Sequence, residues 1–212
     1  MIRLGLILAA GCIAFLLWPQ IDLWASSLFY VDGFYLKDHP LARFIYRATI
    51  ISTALFGGGL LALLIYESLG GREWVRRKVL AYLLLALAVG PGLIVNELFK
   101  NHFGRARPSQ IVQFGGDKRF TPVLIPADQC ERNCSFSSGH AAAAFYFVAL
   151  APLFRGRRRY AVLAAALAWG WIVGLARIVQ GGHFLSDVYC SMVVDLLTAG
   201  ILYYLFFERV RR

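Results

Sequence analysis

The 212 residues are 59% hydrophobic, 15% aromatic and only 16% charged, far too apolar for a soluble domain, where about a quarter of residues are charged. The same figures exclude a disordered chain or a collagen-like fibre, and four cysteines are too few for a disulfide-built secreted scaffold. With 22 Lys and Arg against 12 Asp and Glu, a net charge of +10, an integral membrane protein must place its cations in cytoplasmic loops or against an anionic ligand.

Six apolar stretches have the make-up of spanning helices, which need about 20 apolar residues and at least about 17. The first, 4–18, is short. It starts beside Arg3 and ends at Trp18-Pro19. A basic residue ahead of a short apolar run also opens a signal peptide, but no convincing cleavage site follows, so the segment is expected to stay as an anchor. Beyond it, Ile21, Trp24 and Leu28 recur at helical spacing ahead of Phe29 and Tyr30. That pattern fits an interfacial helix at headgroup depth or, equally, an irregular connector with aromatic anchors. The second stretch covers 48–66 and the third 79–99, where Pro91 between Gly90 and Gly92 predicts a kink or close packing. The fourth, 140–154, is again short, and 161–177 and 187–207 complete the set. No long linker, repeat or low-complexity tract interrupts them. The chain reads as a single domain over 1–212: an all-α integral membrane protein with six transmembrane helices, whose outward loop 100–139 carries two of the three polar motifs described below.

Arg72, Arg76, Arg77 and Lys78 fill the loop after the second helix, and Arg155, Arg157, Arg158 and Arg159 the loop after the fourth. Arg209, Arg211 and Arg212 form the tail, and Arg3 sits at the start. The positive-inside rule puts these segments and both termini in the cytoplasm. The loops after helices 1, 3 and 5 then face outward, into the periplasm of a Gram-negative cell.

Three polar clusters interrupt the apolar pattern, and all lie in outward loops or at the helix ends beside them. Lys100-Asn-His-Phe-Gly-Arg-Ala-Arg107-Pro108 follows the third helix. Ser137-Ser138-Gly139-His140 precedes the fourth, and Arg177-Ile-Val-Gln-Gly-Gly-His183-Phe-Leu-Ser-Asp187 joins the fifth to the sixth. Charges near bilayer depth are costly and mark functional sites. Lys100, Arg107 and Arg177 repel one another unless an anion lies between them. A phosphate dianion suits that place, because it accepts paired bonds from Arg and a point contact from Lys. Ser138 and Gly139 stand where the fourth helix begins. Its free backbone N–H groups bind anions there, and Ser138 is equally suited to cap the helix.

His183 and Asp187 are four residues apart, on one helix face. The carboxylate is expected to hold one imidazole nitrogen and leave the other free to attack phosphorus. Gly181-Gly182 breaks the helix, so that Arg177 and His183 can face one place. His140 is the candidate proton donor to the leaving alkoxide. His39 and His102 have no Cys or carboxylate at zinc-like spacing, so no metal is expected. Glu97 is expected to pair locally with Lys100. Asp195 shares the face of Asp187 and needs a partner.

Taken together, Lys-x6-Arg-Pro, Ser-Gly-His and Arg-x5-His-x3-Asp resemble the type 2 phosphatidic acid phosphatase superfamily, whose signature reads Lys-x6-Arg-Pro, Pro-Ser-Gly-His and Ser-Arg-x5-His-x3-Asp. The three parts occur in order with matching internal spacing, and the resemblance covers roughly 91–194. Ser137 stands where the family has Pro, and Ala176 where it has Ser. The first change bears on loop rigidity and the second removes a phosphate contact. The resemblance implies a cofactor-free, metal-independent phosphatase acting through a phosphohistidine. In that scheme His183 attacks, Asp187 orients it, and His140 protonates the leaving group and then activates water. Lys100, Arg107, Arg177, Ser138 and the Gly139 amide hold the phosphoryl oxygens. Arg105 is expected at a headgroup or in solvent, and otherwise joins this set.

An active site in outward loops implies a lipid phosphate presented at the membrane surface. The stretches Gln113–Phe120 and Gln129–Phe136 resemble the branch that removes the 4′-phosphate of lipid A. In it, Lys118, Arg119 and Arg132 either read further anionic groups or form a solvated basic loop. Undecaprenyl diphosphate or phosphatidylglycerolphosphate as substrate, and a phosphotransferase using the same chemistry, stay open. A transporter fits less well, because transporters bind near the midplane whereas these cations sit at helix ends. The expected partner is a phospholipid or lipid A in a bacterial inner membrane, with no nucleic acid and no obligate protein partner. Cys130 and Cys134 are placed to close a small outward disulfide, with free thiols as the alternative. Cys12 and Cys190 read as small buried residues.

Overall fold

A computed structural model describes residues 2–70 and 74–209, with side chains from Gly5 onward. Arg72, Arg211, Arg212 and the Arg3 side chain, used above for orientation, lie outside the described residues. Among those described, the chain is all helical, with two isolated bridges and no strand.

Helix α1 (Ile2–Leu17) stops ahead of Pro19, which cannot continue the backbone ladder, and the chain bends 81° into α2 (Gln20–Ser27). α2 turns Asp22, Ala25 and Ser26 inward and leaves Trp24 exposed. It is therefore the helix of the two sequence readings, though one with a buried carboxylate. Helix α3 (Pro40–Leu69) starts earlier than its apolar run. Pro40 is pre-organised for the first turn, and His39 caps it by accepting from the Leu41 N–H at 3.3 Å.

α4 (Trp74–His102) carries a wide-wound stretch, Ala88–Phe99, around Pro91. The lost N–H disturbs the ladder, and Asn96 Nδ2 donates to the Pro91 carbonyl at 2.7 Å. After a long loop come α5 (Gly139–Leu153), α6 (Gly156–Val179) and α7 (Leu185–Glu208).

Among the described residues four helices, α3, α4, α6 and α7, are long and apolar enough to cross a membrane, or five if the bent α1–α2 pair is one span. α5 falls where the fourth span was expected but is shorter than a span. It forms the buried centre, packed against α3, α4, α6 and α7. Its Ala141, Ala142, Ala144, Ala149 and Ala151 are all buried, small residues that let neighbouring backbones approach closely. Gly170 on α6 serves the same end: a Cβ there would stand 2.0 Å from the Phe145 ring. Gly170→Val is expected to push Phe145 aside and cost about 1–3 kcal/mol. A thermal midpoint of the detergent-solubilised protein equal to wild type would refute this packing.

Candidate active site

The three polar clusters come together at one end of the bundle. They meet where α4 and α6 end, where α5 and α7 begin, and under the loop 103–138. Local chemistry explains the convergence. Ser138 caps α5, its Oγ accepting from Ala141 N–H at 3.4 Å. Gly139 presses against α4, where a Cβ would come within 2.3 Å of Asn96 Oδ1. Gly181 sits at φ +65°, a left-handed conformation that glycine adopts without strain. Gly182 N–H then bonds back to the Arg177 carbonyl at 3.0 Å, and a Cβ on Gly182 would meet the Arg177 guanidinium. This is the chain reversal that the Gly-Gly pair predicts.

His183 is 1% exposed. Its Nδ1 lies 2.7 Å from the Ser135 carbonyl, which can only accept, so Nδ1 carries the proton and Nε2 keeps the free lone pair. Asp187 Oδ2 stands 3.8 Å from Nδ1, beyond hydrogen-bond reach. The expected direct Asp187–His183 bond is thus replaced by a carbonyl that fixes the tautomer. Asp187 acts on the ring by charge and also through Ser135, whose Oγ donates to Oδ2 at 2.5 Å. The Phe184 N–H donates to the same oxygen at 2.9 Å.

Burial, helped by the Arg177 and Lys100 cations, lowers the His183 pKa to about 4 against the opposing charge of Asp187. The imidazole is therefore neutral at neutral pH. An unfolded histidine titrates near 6.5, so between about pH 6.5 and 4 the unfolded chain binds a proton that the folded chain refuses. Stability contributed by this group is complete above pH 6.5 and is lost as pH falls towards 4, by up to about 3 kcal/mol. A His183→Gln variant is expected to lose part of the acid sensitivity of the thermal midpoint. An unchanged pH profile would contradict the buried neutral ring.

Arg105 corrects the sequence reading most sharply. Expected at a headgroup or in solvent, it is 1% exposed. Its Nη1 donates to Asp187 Oδ1 at 2.5 Å and to Ser186 Oγ at 2.9 Å. Nη2 donates to Asp22 Oδ2 at 2.8 Å, and Nε to the Thr121 carbonyl at 2.9 Å. The guanidinium also lies 4.3 Å from the centre of the Phe184 ring. Burial alone would lower its pKa, but Asp187 and Asp22 outweigh burial and raise it above the ordinary arginine value. Asp22 in turn accepts from Ser186 N–H at 2.8 Å, which ties α2 to the start of α7.

Lys100, Arg107, Arg177, His140 and His183 lie close enough to act electrostatically on one another. Asn133 bridges two of them: Lys100 Nζ donates to its Oδ1 at 2.9 Å and Arg107 Nη2 to its carbonyl at 2.8 Å. Asn133 adopts φ +53° within the loop closed by a Cys130–Cys134 disulfide, whose Cα atoms are 5.7 Å apart. Arg177 bonds to Gln180 and lies 5.0 Å from the centre of the Tyr46 ring. The other face of this cluster is His140, stacked on Tyr46 at 4.1 Å, with its Nε2 buried and unpartnered among the described residues.

A cleft of about 470 Å³ opens beside this cluster, lined by its Arg107 and Arg177 and also by Lys37, Arg43, Tyr46 and Arg47, whereas Lys100, His140 and His183 do not line it. Lys118, Arg119 and Arg132, considered above for further anionic groups, do not line it. Lys118 is half-buried, with Asp117 at 4.0 Å, and Arg119 and Arg132 are exposed. Glu97 does not pair with Lys100 but accepts from Asn101 at 3.2 Å. Asp195 Oδ2 is buried without a hydrogen-bond partner among the described residues, and Cys12 and Cys190 are buried thiols with sulfurs 3.2 Å apart. No three His, Cys, Asp or Glu side chains group as metal ligands among the described residues. Ser135, Asp22, Asn133, Tyr46 and the Lys37–Arg43–Arg47 rim escaped the sequence reading.

The PAP2 superfamily matches residues 79–211. The lipid A 4′-phosphatase of Francisella tularensis subsp. novicida (strain U112) is 37% identical over 93% of this chain and 92% of its own length. That of Rhizobium leguminosarum is 31% identical over 87% of this chain and 86% of its own. The lipid A 4′-phosphatase of Rhizobium etli is 36% identical over 60% of this chain and 49% of its own. No solved structure matches the chain.

Proposed function

As this chain belongs to the PAP2 superfamily and is a phosphoric monoester hydrolase, we propose that it removes the 4′-phosphate of lipid A through a phosphohistidine, at the periplasmic face of a bacterial inner membrane. The observation that carries the chemistry is the His183 imidazole, buried and neutral, with Nδ1 committed to the Ser135 carbonyl. Nε2 attacks phosphorus while the bond to the lipid oxygen breaks, and His140, which takes up a proton as the phosphate dianion binds among the cations, gives that proton to the leaving oxygen. His140 then takes a proton from water, whose oxygen attacks phosphorus as the P–N bond breaks. Inorganic phosphate leaves and His183 is regenerated. Lys100, Arg107 and Arg177, with Ser138 and the Gly139 N–H at the start of α5, neutralise the phosphoryl oxygens as charge builds in the transition state.

The relatives' names support lipid A as the substrate. The outward placement rests on charge: Arg76, Arg77 and Lys78 sit at the far end of α4 from the site, and Arg155–Arg159 at the far ends of α5 and α6. The test is a substrate panel in neutral detergent with a chelator present, comparing lipid A, undecaprenyl diphosphate and phosphatidylglycerolphosphate. Free phosphate and a lipid product lacking the 4′-phosphate are expected from lipid A. Turnover of either other lipid in preference would overturn the substrate assignment.

A further inference from the structure

We infer that Lys37, Arg43 and Arg47 form a second phosphate subsite beside the reacting group, so that the preferred substrate carries two phosphates. This rests on the phosphatase reading above and goes beyond it by assigning three residues that lie outside all three motifs.

Arg43, Tyr46 and Arg47 are three and four residues apart and so share one face of α3. Tyr46 fixes where that face points, since its ring stacks on His140 at 4.1 Å and lies under the Arg177 guanidinium at 5.0 Å. The two arginines on either side of it therefore line the same cleft as Arg107 and Arg177. Lys37 reaches this cleft from the loop before α3, held there because Gln180 Nε2, next to the reacting cluster, donates to the Lys37 carbonyl at 3.2 Å.

Charge counting makes the rim more than a wall. Lys100, Arg107 and Arg177, three cations, already exceed the two charges of one phosphoryl dianion. Lys37, Arg43 and Arg47 add three cations, while among the described residues Asp38 is the one carboxylate lining the cleft. None of the three forms an ion pair or a side-chain hydrogen bond among the described residues, in contrast to Arg105, Arg107 and Arg177. A cleft of about 470 Å³ is in the range of sites for whole ligands and exceeds the size of one phosphoryl group. Unpaired guanidinium groups at i and i+4 suit a second phosphate, which accepts paired N–H bonds from each. Lipid A, with a phosphate at each end of its disaccharide, has this chemistry. The anionic headgroups of the surrounding bilayer share it, and the test separates the two.

The experiment measures kcat/KM in neutral detergent micelles, free of anionic lipid, for bisphosphorylated lipid A and for the same lipid lacking its 1-phosphate. Wild type, Arg43→Ala/Arg47→Ala and Arg43→Lys/Arg47→Lys are compared. Wild type is expected to prefer the bisphosphorylated lipid. In the alanine pair that preference falls tenfold or more, and in the lysine pair it is largely restored because the charge remains. Equal losses on both lipids would assign the rim to general surface attraction and overturn the inference, as would an unaltered preference. Wild type releasing no phosphate from either lipid would instead defeat the phosphatase reading, and this inference with it.

Discussion

His183→Ala is expected to lower kcat by about 10⁴-fold or more, because it removes the nucleophile rather than a contributor to binding. His183 is one of the larger fully buried side chains, so alanine leaves a cavity that lowers stability as well as activity. His183→Gln fills more of the space and keeps a donor for the Ser135 carbonyl. It is expected to retain most of the thermal stability near neutral pH and equally little activity. KM should change little in both variants, since Lys100, Arg107 and Arg177 remain to bind the phosphate. Residual activity within tenfold of wild type in His183→Gln would mean that phosphorus is attacked by something other than this imidazole.

The second large effect is expected at Arg105, a residue that by the motif alone is a bystander. Arg105→Ala leaves Asp22 and Asp187 buried, at 0% exposure each, without their shared counter-ion. Breaking a buried pair in this way costs about 3–5 kcal/mol, enough to consume much of a domain's stability. Adding Asp22→Asn removes one of the two stranded charges, so the double variant is expected to be more stable than Arg105→Ala alone, a coupling that independent sites would not show. Arg105→Lys separates positioning from folding. It keeps the positive charge but cannot reach Asp187, Ser186 and Asp22 together, so kcat should fall about 10–100-fold while the thermal midpoint falls far less. Thermal midpoints that simply add across the Arg105 and Asp22 variants would contradict the shared buried network.

The parts of the site that were legible in the sequence are those built from short spacings. Arg177, Gly181-Gly182, His183 and Asp187 lie within eleven residues, so helix periodicity and a glycine break are enough to orient them. Ser138 next to Gly139 and His140 marks a helix start by capping chemistry alone. Partners that meet only in three dimensions left no such trace. Ser135 and Asp187 are 52 residues apart and Arg105 and Asp22 are 83 apart. Asp22 was masked by Ile21 and Trp24, whose exposed faces read as a membrane-surface helix and concealed the buried carboxylate between them. Arg105 stood among other cations, and nothing local distinguishes a buried guanidinium from a solvated one.

The helix boundaries followed the same logic. Hydropathy cut the second helix at residue 48 because Arg43 and Arg47 interrupt the apolar run, although the Pro40 start and His39 cap were there to be read. α5 reads as a short span because its alanines are apolar; what the sequence does not show is that these alanines are buried and bring four helices together.

The most direct measurement is a rapid-quench experiment on the wild-type protein with lipid A carrying a labelled 4′-phosphate. Label is expected on the enzyme during the first turnover, stable to alkali, lost in acid and confined to the peptide that contains His183. Phosphate released at full rate with no labelled enzyme, or label on another residue, would contradict covalent capture by this imidazole.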